Sequence, residues 1–91
     1  MEGEHRAVVR IANKKGLHAR ASAKIVEAAA RFRSRIRISY NQQTVDARSI
    51  MGLTMLAASE GSEIGIDAEG PDAEIALAAI VALTEAKFGE E

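Results

Sequence analysis

The chain has 91 residues, a formal net charge of −1 and no cysteine, which excludes disulfides and thiolate chemistry. Its only aromatic residues are Phe32, Tyr40 and Phe88, so the core must be aliphatic. No stretch is long and apolar enough to span a membrane, and the start "MEGEHRAVVRIANKKG" carries no apolar signal core.

These bounds predict one domain over residues 1–91, soluble, cytoplasmic and without membrane insertion. The small net charge hides an asymmetry. Residues 1–48 hold 11 Lys/Arg and 4 Asp/Glu, whereas residues 49–91 hold 1 Lys and 9 Asp/Glu. Either the two halves interleave in space and cancel, or a basic face awaits an anionic ligand or an acidic partner.

Residues 6–12, "RAVVRIA", alternate, with Ala7, Val9 and Ile11 on one face, and predict a half-buried strand. "NKKG" at 13–16 is a loop. From Ala19 to Phe32 the period becomes helical. Ala21, Ile25, Ala28, Ala29 and Phe32 form an apolar stripe opposite Arg20, Lys24, Glu27 and Arg31. "RIRISY" at 35–40 alternates again, with Ile36, Ile38 and Tyr40 inward. A turn at "NQQ" and a short return strand at "TVDA" make a hairpin. Ser49 opens a two-turn apolar segment, "IMGLTMLA", and Gly61 ends the connection after it. "EIGID" is the fourth strand, with Ile64 and Ile66 inward. Asp72 is the predicted N-cap of a last helix with Glu74 in its first turn. That helix runs to about Phe88, with Ile75, Leu77, Ile80, Val81 and Leu83 as its apolar content.

The order is β-α-β-β-α-β-α. Each strand has one apolar face, so all three helices must cover the same side of one sheet. The predicted fold is α+β, a two-layer open-faced sandwich with a four-stranded antiparallel sheet and three helices on one face.

"GLHARAS", residues 16–22, places a histidine where the first helix begins. Helix starts leave backbone N–H groups unpaired, carry positive dipole charge and attract phosphate. With His18 as N-cap, the amides of Ala19, Arg20 and Ala21 form a phosphate-binding start, and Arg20 adds a planar cation suited to phosphate oxygens. Gly16 permits the tight turn before it. The positive helix end favours the neutral, nucleophilic imidazole, which can take a phosphoryl group directly. On spacing alone, an ordinary surface or capping histidine is the commoner reading.

The residues "GLHARAS", followed by "RSIMGLTMLAASEGSEIGIDAEGPD", resemble the HPr family of bacterial phosphocarrier proteins from about residue 6 to residue 88. The resemblance implies that His18 is phosphorylated on Nδ1 and that Arg20 stabilises the phosphate. It implies a phosphoryl relay from enzyme I to His18, and from His18 to a histidine of a IIA-type protein. The chain is then a monomeric covalent carrier more than an enzyme, with no cofactor and no metal. Ser49 looks like the serine that a dedicated HPr kinase/phosphorylase modifies in some members. It is also a plausible N-cap without regulation. Arg48, Ile50, Met51 and Leu53 match the family's docking face. The family usually has proline where this chain has Ala21. "AEGPDAEIALAAIVAL" is similar to the nitrogen-related branch, whereas "RSIMG" is similar to serine-regulated members, and the branch stays open.

Two other readings compete. The basic N-terminal half suits a non-covalent regulatory or nucleic-acid binding module, but such sheets stack bases on exposed aromatics and Tyr40 is phased inward. The phosphocarrier reading needs no nucleic acid. Metal binding through His5 and His18 lacks ligand spacing.

Overall fold

The computed structural model describes residues 4–90. Its elements run β1 (Glu4–Arg10), α1 (Ala19–Ala29), β2 (Arg35–Tyr40), β3 (Gln43–Asp46), α2 (Ile50–Leu56), β4 (Glu63–Glu69), α3 (Ala73–Glu85), then a single 3-10 turn, Lys87–Gly89. The strands form one sheet in the order β1-β4-β2-β3, with every neighbour antiparallel. This is the predicted open-faced sandwich.

Alternation sets the layers. Val9, Ile36, Ile38, Ile64, Ile66 and Ala68 are buried in one aliphatic layer under the helices. Register aligns them: Val9 lies opposite Ile64, Ile38 opposite Ile66, and Ile36 opposite Ala68. Two strands differ from the predicted limits. β1 starts two residues early and ends at Arg10, yet Ile11 stays buried, its backbone bonded to Ser62 and Gly61. β4 extends to Glu69 because Ala68 also faces the core. Between β2 and β3, Asn41 and Gln42 both adopt left-handed backbone (φ 53° and 66°). That is the two-residue hairpin turn whose twist matches the strands. The return strand therefore begins at Gln43, inside the predicted turn.

The sheet also resolves the charge asymmetry. Acidic β4 sits between basic β1 and β2, so Asp67 lies opposite both Arg6 and Arg37, and Glu63 lies opposite Arg10. Arg37 Nε donates to Asp67 Oδ1 at 2.9 Å. The two sequence halves do interleave, on the open face of the sheet. Tyr40 packs against the core, and its hydroxyl accepts from Ser62 Oγ, so among the described residues that open face presents no aromatic ring.

The helices bring four corrections. α1 ends at Ala29, short of Phe32. α3 buries Ala73, Ala76, Ile80 and Thr84, whereas Ile75 is 66% exposed. Residue 75 lies about 145° from the centre of the buried stripe, which sequence content alone does not reveal. Asp72 occupies the N-cap position but does not cap its own helix. Its carboxylate instead accepts from the Arg33 and Ser34 amides and the Ser34 hydroxyl, tying the α1–β2 loop to α3. The Ser34 hydroxyl first, and then the Arg33 amide, hold the Asp72 carboxyl below the usual range. Finally, α3 stops at Glu85 rather than near Phe88. Lys87 and Phe88 turn left-handed (φ 60° and 55°), and Phe88 is fully buried. This kink sends the last described residues back over α1.

Candidate functional site

The path to His18 is fixed by Gly16. Its φ of +62° favours glycine, and a Cβ there would lie 2.3 Å from the Ala58 carbonyl oxygen. Leu17 is buried, and its amide donates to that same carbonyl at 2.9 Å. The chain then enters α1 with His18 at the N-cap in extended backbone (φ −74°, ψ 179°). The His18 carbonyl accepts from Ser22, but its side chain makes no capping bond. Among the described residues, the amides of Ala19, Arg20 and Ala21 have no acceptor. The start of α1 is open, as the sequence predicts.

Around the ring, Lys14, Lys15, Arg20 and Lys24 line one open cleft with His18, Gly89 and Glu90. Arg20 is exposed and makes no hydrogen bond or ion pair among the described residues, so its guanidinium can turn to a ligand. Four basic residues from outside the sheet, Lys14, Lys15, Arg20 and Lys24, thus collect on one side of His18.

Glu90 was not foreseen. Its Oε2 lies 2.6 Å from His18 Nε2, and its Oε1 accepts from Asn13 Nδ2 at 2.9 Å. Burial alone would push its carboxyl up. The bonds from His18 and Asn13, with charge from His18 and Arg20, outweigh burial and leave it lowered. Nδ1 of His18 has no hydrogen-bond partner among the described residues. Lys24 Nζ donates to the Phe88 carbonyl at 2.6 Å and pins the turn that delivers Glu90. A contact between residues 72 apart leaves no sequence signal. Lys14 and Lys15 could have been found from their closeness to His18.

The second motif divides. Ser49 Oγ accepts from the Gly52 amide at 2.9 Å and caps α2. Ile50 and Met51 are 45% and 75% exposed, as a docking face requires. Leu53 is fully buried and belongs to the core, so it is removed from that face. Met55 is 75% exposed. Arg48 stays exposed beside α2. Its guanidinium donates to the carbonyls of Ala29 (3.0 Å) and Phe32 (2.6 Å) and satisfies the end of α1. The two motifs meet through Thr54 Oγ1, which donates to Ser22 Oγ one turn into α1.

An open-faced sandwich that sets a free imidazole nitrogen beside unpaired amides and cations has the chemistry of a domain that receives an anion such as phosphate. Comparison with known proteins carries this further. A family profile described as "PTS HPr component phosphorylation site" matches residues 5–86. The phosphocarrier protein HPr of Cupriavidus necator is 50% identical over 80 residues, covering 88% of this chain and 90% of that protein. The phosphocarrier protein NPr of Shewanella violacea is 44% identical over 82 residues, covering 90% of each. Among solved structures, HPr-C-His from Thermoanaerobacter tengcongensis superposes with a TM-score of 0.91 at 44% identity, covering 96% of this chain and 98% of that one. The chain belongs to the HPr family of phosphotransferase-system phosphocarriers. Members of this family are carrier proteins that work with phosphotransferase-system partners. No helix among the described residues is long and apolar enough to cross a membrane.

Proposed function

We propose that this chain carries a phosphoryl group on Nδ1 of His18, taking it from phosphorylated enzyme I and passing it to a histidine of a IIA-type protein in the cytoplasm. The observation that carries the reading is the uncapped start of α1, where three unpaired amides and Arg20 stand beside a ring whose Nδ1 is free.

The chemistry is a simple exchange. The Nδ1 lone pair attacks phosphorus, a P–Nδ1 bond forms, and the P–N bond of the donor histidine breaks with its electrons returning to the donor ring. The amides of Ala19, Arg20 and Ala21 and the Arg20 guanidinium hold the arriving oxygens. Transfer to the IIA-type histidine runs the same steps in reverse.

Ile50, Met51 and Met55 form the docking face in this reading. A phosphate on Ser49 would set negative charge beside Ile50 and Met51 and weaken docking on an acidic partner. A Ser49→Asp variant should accordingly accept phosphate from enzyme I more slowly, and an unchanged rate would leave Ser49 as a cap alone. The relay is tested by incubating the chain with enzyme I and phosphoenolpyruvate. An acid-labile phosphate on His18 supports it. No phosphate on this chain, where an accepted family member gains one, overturns it.

A further inference from the structure

Resting on the phosphocarrier reading, we infer that Glu90, held by Asn13, is a positioning residue that fixes the tautomer of His18 and balances the charge its ring gains on phosphorylation. The cluster spans three parts of the chain: the loop before α1, the N-cap of α1 and the turn after α3.

Its geometry is directional. A neutral imidazole carries one proton, on Nδ1 or on Nε2. With a carboxylate oxygen 2.6 Å from Nε2, the Nε2–H form donates a charge-assisted bond. The other form would set two lone pairs against each other at that distance. Glu90 thus keeps the Nδ1 lone pair available, on the side of the ring away from the carboxylate. Attack on phosphorus then turns the ring into a cation bonded to phosphorus at Nδ1 and to hydrogen at Nε2. The carboxylate faces that cation as it forms. On the return step the same cation is the leaving group, and departure of phosphorus restores the neutral Nε2–H ring. No other reactant is consumed.

Glu90 is itself held in place. Asn13 is fully buried, and its Nδ2 donates both to Glu90 Oε1 and to the Gly16 carbonyl, each at 2.9 Å. A flipped amide would set Oδ1 against two acceptors, so the bonding fixes which way Asn13 faces. Phe88, buried beneath the turn, and the Lys24–Phe88 bond prevent Glu90 from swinging away. The other charged groups around the ring among the described residues, Lys14, Lys15, Arg20 and Lys24, are all cations. Among the described residues, Glu90 is the one acid lining that cleft.

The test uses the full chain with nitrogen-15 in its histidine rings, together with Glu90→Gln and Glu90→Ala. Ring nitrogen shifts read the His18 tautomer, and single-turnover transfer from phosphorylated enzyme I reads the rate apart from binding. Wild type should show the Nε2–H form. Glu90→Ala should populate both tautomers and take phosphate roughly 10-fold more slowly, with unchanged affinity for enzyme I. Glu90→Gln keeps an acceptor but not a charge, so it should keep the tautomer and lose rate. A Glu90→Ala protein with wild-type tautomer and wild-type transfer rate would overturn the inference. A wild type that takes no phosphate on His18 would overturn the phosphocarrier reading instead, while the ring shifts would still decide whether Glu90 sets the tautomer.

Discussion

Two helix starts in this molecule, those of α1 and α2, lie on neighbouring helices linked by Ser22 and Thr54. They are finished in opposite ways. At α2, Ser49 closes the start with its own hydroxyl on Gly52. At α1, His18 holds the same position, offers no cap, and leaves three amides unpaired among the described residues. A capped start stabilises a helix by about 1 kcal/mol. An open one forgoes that stabilisation and retains a place for an anion. The contrast separates a start closed by its own side chain from one left open, even though both motifs point to the same family.

The largest break in this contrast is His18→Ala. It should abolish phosphoryl acceptance, read as mass gained after incubation with enzyme I and phosphoenolpyruvate, and leave the fold intact. Within α2, Leu53→Ala should cost about 2–5 kcal/mol in urea unfolding, because Leu53 is core. Met51→Ala should change stability by no more than about 0.5 kcal/mol and weaken enzyme I binding. Wild-type binding by Met51→Ala would remove the docking role. Arg20→Ala should slow transfer roughly 10- to 100-fold, since it removes one charged partner of the phosphate. Its unfolding midpoint should stay put, Arg20 having no partner among the described residues. Ser49→Ala should cost about 1 kcal/mol and leave acceptance by His18 unchanged. A slowed rate there would show that the two starts are coupled.

The smallest effect is on acid stability. Asp72 has a lowered folded pKa, so its contribution is full above the ordinary carboxylate range and is lost as pH falls through that lowered value. Glu90 acts with the same sign. An Asp72→Asn protein should therefore melt lower than wild type at neutral pH, and the gap should narrow in acid. A gap that stayed constant with pH would mean that the Asp72 bonds to the α1–β2 loop do not depend on its charge.

Much of this was legible in the chain. Clean alternation at 35–40 and at 63–67 fixed two strands and their inward residues. "GLHARAS" located the open helix start, because glycine, histidine and arginine act there through local geometry. Side-chain direction on a seven-residue helix was less legible. Ile50, Met51, Leu53, Met55 and Leu56 are apolar on every side, so only packing decides that Leu53 and Leu56 go in. The reach of the exposed Arg48 to the carbonyls of α1 was not legible, because nothing local shows it. Glu90 was invisible because its arrival depends on Lys87 and Phe88 turning left-handed, a conformation those residues do not favour by themselves.

The central claim is that the open start of α1 receives the phosphate. Backbone amide resonances before and after phosphorylation by enzyme I test it most directly. The account predicts a phosphate on His18 Nδ1 with the largest shifts at Ala19, Arg20 and Ala21, and an unmoved Gly52 amide at the capped start of α2. A phosphate on another residue, or a phosphorylated His18 that leaves those three amides where they were, would contradict it.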